Sequence, residues 1–170
     1  MNQPSLSPNA EELLDLAQQL GDRLRARGLK LVTAESCTGG WAGAAVTAVP
    51  GSSHWYERGY VTYSNAAKQE DLGVSKNTLD TYGAVSGETA AEMAQGALQR
   101  APADLAVSIT GIAGPDGGSP GKPVGTVWIA VMRKGQPAQS QQHCFAGDRQ
   151  GIRQQAVAAA LRALIDAVAT

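Results

Sequence analysis

Leu13, Ala17, Leu20 and Leu24 recur at the three- and four-residue spacing of one helical face. Asn9 and Glu12 precede them as a cap and its return carboxylate, and Gly28 stands where such a helix stops. The run LKLVTAE, residues 29–35, is short and partly β-branched, which predicts a buried strand. An Ala-rich stretch from Trp41 to Val49 predicts a second helix, ended by Pro50 and Gly51. RGYVTYS (58–64) alternates like a strand, and Ser64 and Asn65 offer a cap for a short helix over 66–73. The segment 74–87 carries turn residues and reads as a connection. Ser86 caps a helix running to Ala101, with Glu88 in its favourable first turn.

The second half predicts a buried strand in DLAVSITG, followed by a loop dense in Gly and Pro. TVWIAVMRK is apolar on both pleat faces, the mark of a central strand. A KGQP turn returns the chain antiparallel through AQSQQHCFA. Asp148 then caps a helix to about Val168, with Ile152, Ala156, Ala160, Leu164 and Val168 as its apolar stripe. The alternation predicts a single-domain layered α/β/α fold with a mixed parallel and antiparallel sheet, spanning residues 9–170 behind a loose tail of residues 1–8. Open sheets of this kind usually place their sites at the carboxyl ends of strands.

Composition narrows the class. The chain has 170 residues, 43% of them hydrophobic, with a formal net charge of −1. It contains no basic block, so nucleic acid is not an expected partner. Neither a secretory signal nor a membrane-length apolar run is visible, and the expected location is the cytoplasm. Two cysteines, Cys37 and Cys144, without a CxxC, give neither a disulfide framework nor zinc spacing. Neither a metal nor another cofactor is expected, and Cys144 is expected to be a small buried hydrophobe.

The polar knot TAESCTGG lies where a strand hands over to a helix. The first N–H groups of a helix lack partners within it, and that end is partly positive. Ser36 or Cys37 could therefore be a nucleophile, with backbone donors from Cys37 through Thr38, Gly39 and Gly40 forming an oxyanion hole. The same geometry suits a bound anion, and Ser36 or Thr38 could equally be a plain N-cap. A serine needs a base. His54 and His143 lack an evident orienting acid, whereas Lys68 falls in the first turn of a predicted helix. Bringing a lysine to the pH 7–8 range takes ~4 kcal/mol, and a helix end supplies only ~0.3–1. Burial must provide most of the shift. The loop from Thr110 and Gly111 through Ala113 and Gly114 could bring backbone close to a ligand, and Asp116 could pair with a polar group on it. Arg149 stands at a helix N-terminus, unfavourable for a cation unless an anionic substrate or a carboxylate such as Glu35 compensates.

Together, TAESCTGGWAG, PGSSHWYERGYVTYSNAAKQEDLGV, GAVSGETAAEMAQGA, SITGIAGPDGGSPGKPVGTVWIAV and FAGDRQGIRQQA resemble the CinA C-terminal domain family over nearly all of residues 10–168. The resemblance implies an amidohydrolase that converts nicotinamide mononucleotide to nicotinic acid mononucleotide and ammonia in pyridine nucleotide recycling. It implies a metal-free serine–lysine pair, matching Ser36 and Lys68. Tyr63 falls on a position near that pair, and Arg149 on one assigned to the site, where it would hold phosphate or orient the pair. A homodimer is a further expectation, from the resemblance and from surplus apolar residues on the helices. A non-catalytic nucleotide-binding module and a thiol hydrolase using Cys37 are the alternatives.

Overall fold

The computed structural model describes residues 8–169. Residues 1–7 of the expected tail lie outside the described residues, and Pro8 at its end is buried. The first helix, α1 (Ala10–Arg27), carries the expected box: Asn9 accepts from the Glu12 N–H while the Glu12 carboxylate accepts from the Asn9 N–H. Five strands follow in one sheet: β1 (Leu31–Glu35), β2 (Tyr56–Val61), β3 (Leu105–Gly111), β4 (Thr126–Arg133) and β5 (Gln139–Cys144). Their spatial order is β2-β1-β3-β4-β5. β1 is parallel to β2 and β3, and β4 runs antiparallel to β3 and β5.

Strand alternation sorts the core onto two faces. Leu31, Leu105, Val107 and Ile109 pack with α1, α2 (Trp41–Thr47) and α6 (Arg149–Ala169). Val32, Ala34, Ala106 and Ala130 pack on the other face, beneath α5 (Gly87–Arg100) and the ends of α3 (Asn65–Leu72) and α4 (Lys76–Tyr82). The small residues on that second face let α5 lie close. The connection from β1 to β2 therefore crosses one face and that from β2 to β3 the other. The carboxyl ends of β1, β2 and β3 and the start of α6 gather at one edge of the sheet.

Several details depart from the sequence reading. β2 starts at Tyr56, two residues early, because Tyr56 pairs with Leu31; it is an edge strand and buries little. β3 is the centre of the sheet, and β4 is interior beside it. A helix, α4, occupies part of the expected connection, capped by Ser75. Cys144 is exposed, not buried: it ends edge strand β5, whose residues are mostly exposed. The apolar stripes of α1 and α6 are covered within the chain. Among the described residues, the exposed large apolar side chains are Leu14, Val61, Tyr63 and Tyr82.

Candidate active site

Pleat alternation decides where the knot after β1 points. Val32 and Ala34 face the α3–α5 layer, and Ser36 continues that parity, its N–H still donating to Ile109 O as if the ladder ran on. Glu35 has the opposite parity and meets the start of α2. Its carboxylate accepts from Thr38 Oγ1 at 2.6 Å, from the Ala42 N–H at 2.8 Å and from the Gly43 N–H at 3.1 Å. This overturns two local expectations. Neither Ser36 nor Thr38 caps α2; its N-cap is Gly40, and Glu35 supplies the side-chain acceptor. The protein's own carboxylate also occupies the helix N-terminus, so an anion cradle there is closed. The donors left over belong to the preceding turn. Gly39 N–H closes on Ser36 O, and among the described residues the N–H groups of Cys37, Thr38 and Gly40 meet no acceptor outside their own residues. Gly39 and Gly40 have φ of 59° and 101°, the left-handed region that only glycine enters freely.

Lys68 lies on the buried side of α3, which is capped by Ser64, whose hydroxyl accepts from the Ala67 N–H. The Lys68 side chain is 1% exposed, among the largest fully buried side chains described. Its Nζ is 3.0 Å from Ser36 Oγ, 3.0 Å from Thr62 O and 3.3 Å from Tyr63 O. Carbonyls only accept, so they orient the two N–H bonds of a neutral amine and leave its lone pair for the Ser36 hydroxyl. After a proton transfer, the ammonium has three donors for the same three oxygens. Burial pushes the Lys68 pKa down from the ordinary lysine range, with the nearby Cys37 opposing. The expectation that burial must do most of this work agrees with the geometry. No carboxylate within the described residues forms an ion pair with Lys68.

A cleft of about 200 Å³ opens at this pair. Of the expected residues, Ser36, Cys37, Tyr63, Lys68, Thr110, Gly111, Ala113 and Arg149 line it. Thr38, Gly39, Gly40 and Gly114 do not; they shape the backbone around it. Tyr63 is 62% exposed at the mouth. Arg149 donates to Gly114 O at 2.8 Å and to Tyr63 Oη at 3.2 Å, so the Gly-rich loop and a tyrosine engage it rather than Glu35. Thr110 Oγ1 donates to Ala84 O, which ties β3 to the cleft wall. Asp116 is exposed and lies outside the cleft, as do His54 and His143.

The Cys37 thiol is buried in the core on the α1, α2 and α6 face, and burial pushes its pKa up to about 11. The cleft also includes Asn65, singled out in the sequence only as a possible helix cap, and Ala84 and Val85, which no pattern picked out as site residues. The sequence reading missed Arg153 as well, one turn beyond Arg149; its guanidinium donates to the Cys37 and Thr38 carbonyls. The i, i+4 spacing of the two arginines was the available signal. Among the described residues, no cluster of three or more His, Cys, Asp or Glu side chains comes together.

These features define a layered α/β protein with a buried hydroxyl–amine pair at the carboxyl edge of a mixed sheet. The profile of the CinA C-terminal domain matches residues 13–168, and the chain belongs to that family. It is 54% identical over 153 residues to the nicotinamide-nucleotide amidohydrolase PncC of Escherichia coli K12, covering 90% of this chain and 93% of that one. The Pseudomonas putida protein of the same name is 49% identical, covering 91% and 96% of the two chains. The crystal structure of the competence/damage inducible protein CihA from Agrobacterium tumefaciens superposes with a TM-score of 0.91 at 43% identity, covering 98% of this chain and 100% of that one.

Proposed function

We infer that this chain is an amidohydrolase that converts nicotinamide mononucleotide to nicotinic acid mononucleotide and ammonia, with Ser36 as nucleophile and Lys68 as its base. The observation that carries the assignment of residues is the 3.0 Å approach of Lys68 Nζ to Ser36 Oγ in a buried setting that favours the neutral amine. Neutral Lys68 takes the Ser36 proton as Oγ attacks the carboxamide carbon. The tetrahedral oxyanion is met by N–H groups of the Cys37–Gly40 turn. The carbon–nitrogen bond then breaks, and Lys68 returns its proton to the departing nitrogen, releasing ammonia. Water attacks the nicotinoyl ester, gives its proton to Lys68, and Ser36 leaves with that proton. Tyr63 stands at the mouth as a proton relay. The contacts of Arg149 with Tyr63 and Gly114 support an orienting part for it.

The test is ammonia release by single variants. Ser36→Ala and Lys68→Ala should each lower kcat by roughly 10⁴-fold or more, because members of such a unit fail together. Near-normal turnover by either removes that residue from its role. The proposed location is the cytoplasm, where thiols such as Cys37 and Cys144 stay free; among the described residues no helix is long and apolar enough to cross a membrane. A homodimer belongs to the same reading, supported by the family resemblance, and sedimentation at micromolar concentration reads it.

A further inference from the structure

The turn that would receive the oxyanion is short and has few bonds of its own. Gly39 N–H closes on Ser36 O and Trp41 N–H on Thr38 O, both at 3.0 Å. Its outer side is held from another element. Arg153 Nε, on α6, donates to Cys37 O at 3.0 Å and Nη2 to Thr38 O at 3.1 Å. The guanidinium lies 5.2 Å from the centroid of the Trp41 ring, which fixes its plane. Among the described residues no carboxylate forms an ion pair with it.

We propose that Arg153 is a positioning residue for oxyanion binding, holding the Cys37–Gly40 turn in place beside Ser36, where Cys37 lines the cleft. This rests on the serine mechanism above. In a planar trans peptide the carbonyl and the next N–H point in opposite directions. Holding Cys37 O and Thr38 O toward α6 therefore fixes the planes of two successive peptides in the turn, and the N–H of Cys37, the turn residue that lines the cleft, meets no described acceptor outside its own residue. The turn cannot swing to another orientation easily, since the Thr38 hydroxyl is tied to Glu35. Arg153 thus acts on the transition state without touching the substrate.

The experiment uses Arg153→Met and Arg153→Lys in the full chain. Three quantities are read: kcat and KM for nicotinamide mononucleotide, affinity for the product nicotinic acid mononucleotide, and affinity for 3-pyridinecarboxaldehyde mononucleotide. The aldehyde carbon accepts Ser36 Oγ to form a tetrahedral hemiacetal whose oxygen occupies the oxyanion position. Arg153→Met should lower kcat by about tenfold to hundredfold and aldehyde affinity by the same factor, with KM and product affinity changed by about twofold or less. Arg153→Lys should recover part of the loss, because an ammonium holds one carbonyl and not two. Unchanged kcat, or product and aldehyde affinities falling together, would overturn the proposal. Should the Met variant fail to fold, the Lys variant decides by the same split. Ser36→Ala is the separate control: if it keeps both turnover and aldehyde affinity, the serine mechanism fails and this proposal with it. If it loses both while the Arg153 variants show no split, only the Arg153 proposal fails.

Discussion

An amine held in a dry site without a paired carboxylate is costly to charge, and Lys68 is such an amine. Two consequences follow at the scale of the residue. First, kcat/KM should rise with pH as Lys68 loses its proton and level off below the ~10.4 of a free lysine. Lys68→Arg, which cannot deprotonate, should be inactive at every pH. Second, the folded state binds fewer protons than the unfolded chain in the window between the lowered folded pKa and ~10.4. The unfolding free energy of the wild type relative to Lys68→Met should therefore rise with pH through that window, as read by denaturant titrations at several pH values. A flat difference would mean that the amine is not depressed. Cys37 behaves oppositely. A thiol pushed up to about 11 is protonated near neutrality and a poor nucleophile. Cys37→Ala should keep kcat within about threefold and lose about 1 kcal/mol of stability from the small cavity; abolished turnover would revive the thiol alternative. Ser36 and Lys68 were candidates because hydroxyl and amine carry their chemistry in their side chains, while the pairing of the two was implied only by the family resemblance. The part of Glu35 was not legible, since besides the Thr38 hydroxyl its partners are backbone N–H groups of Ala42 and Gly43, seven and eight positions away. Arg153 likewise binds carbonyls, which any residue presents.

At the scale of elements, the site depends on how closely α3 lies against α5. Gly96, within α5, faces the end of α3, and a Cβ there would overlap the Leu72 carbonyl. Lys68 sits one turn earlier on the same helix, so a shift of α3 is a shift of the amine. Gly96→Ala should destabilise the fold by about 3 kcal/mol, as overpacking does, and lower kcat through the lengthened Lys68–Ser36 distance. Thermal unfolding and ammonia release check the two effects; an unchanged melting temperature would mean that the helices have room to part. The Glu35 cap makes a comparable prediction for α2. Glu35→Ala leaves buried donors without acceptors and should cost about 2–4 kcal/mol in denaturant unfolding. Long periodic helices such as α1 and α6 were legible from spacing alone. α4 was not: seven residues that bury only Leu79 leave no period to detect, and its Ser75 cap resembles an ordinary turn signal.

Only the whole molecule brings the site together. Ser36 follows β1, Tyr63 follows β2, Lys68 rides α3 and Arg149 opens α6, and the strand order that joins them is not written in any one segment. The sequence pattern establishes a mixed sheet; the placement of β1 between β2 and β3 comes from long-range pairing, to which local periodicity is blind. That assembly also bears on the proposed substrate. The cleft at Ser36 holds about 200 Å³, and Arg149 forms its wall while also lining a neighbouring cleft of about 450 Å³ with Trp41 and Gln150. On the proposed function, a carboxamide that reached Ser36 from the mouth would bring its ribose and phosphate past Arg149. Within the described residues that guanidinium has no carboxylate partner, so its charge is available to a phosphate. Binding energy from such remote groups holds the amide in place for attack, and a truncated substrate loses it. Ammonia release from nicotinamide mononucleotide should exceed that from free nicotinamide by at least ~10² in kcat/KM. The preference should shrink as salt rises from low to about 1 M, because exposed charges are screened, while the rate with free nicotinamide stays level. Equal rates for the two amides, or a preference indifferent to salt, would mean that the phosphate plays no part at this mouth and that Arg149 serves only to orient Tyr63.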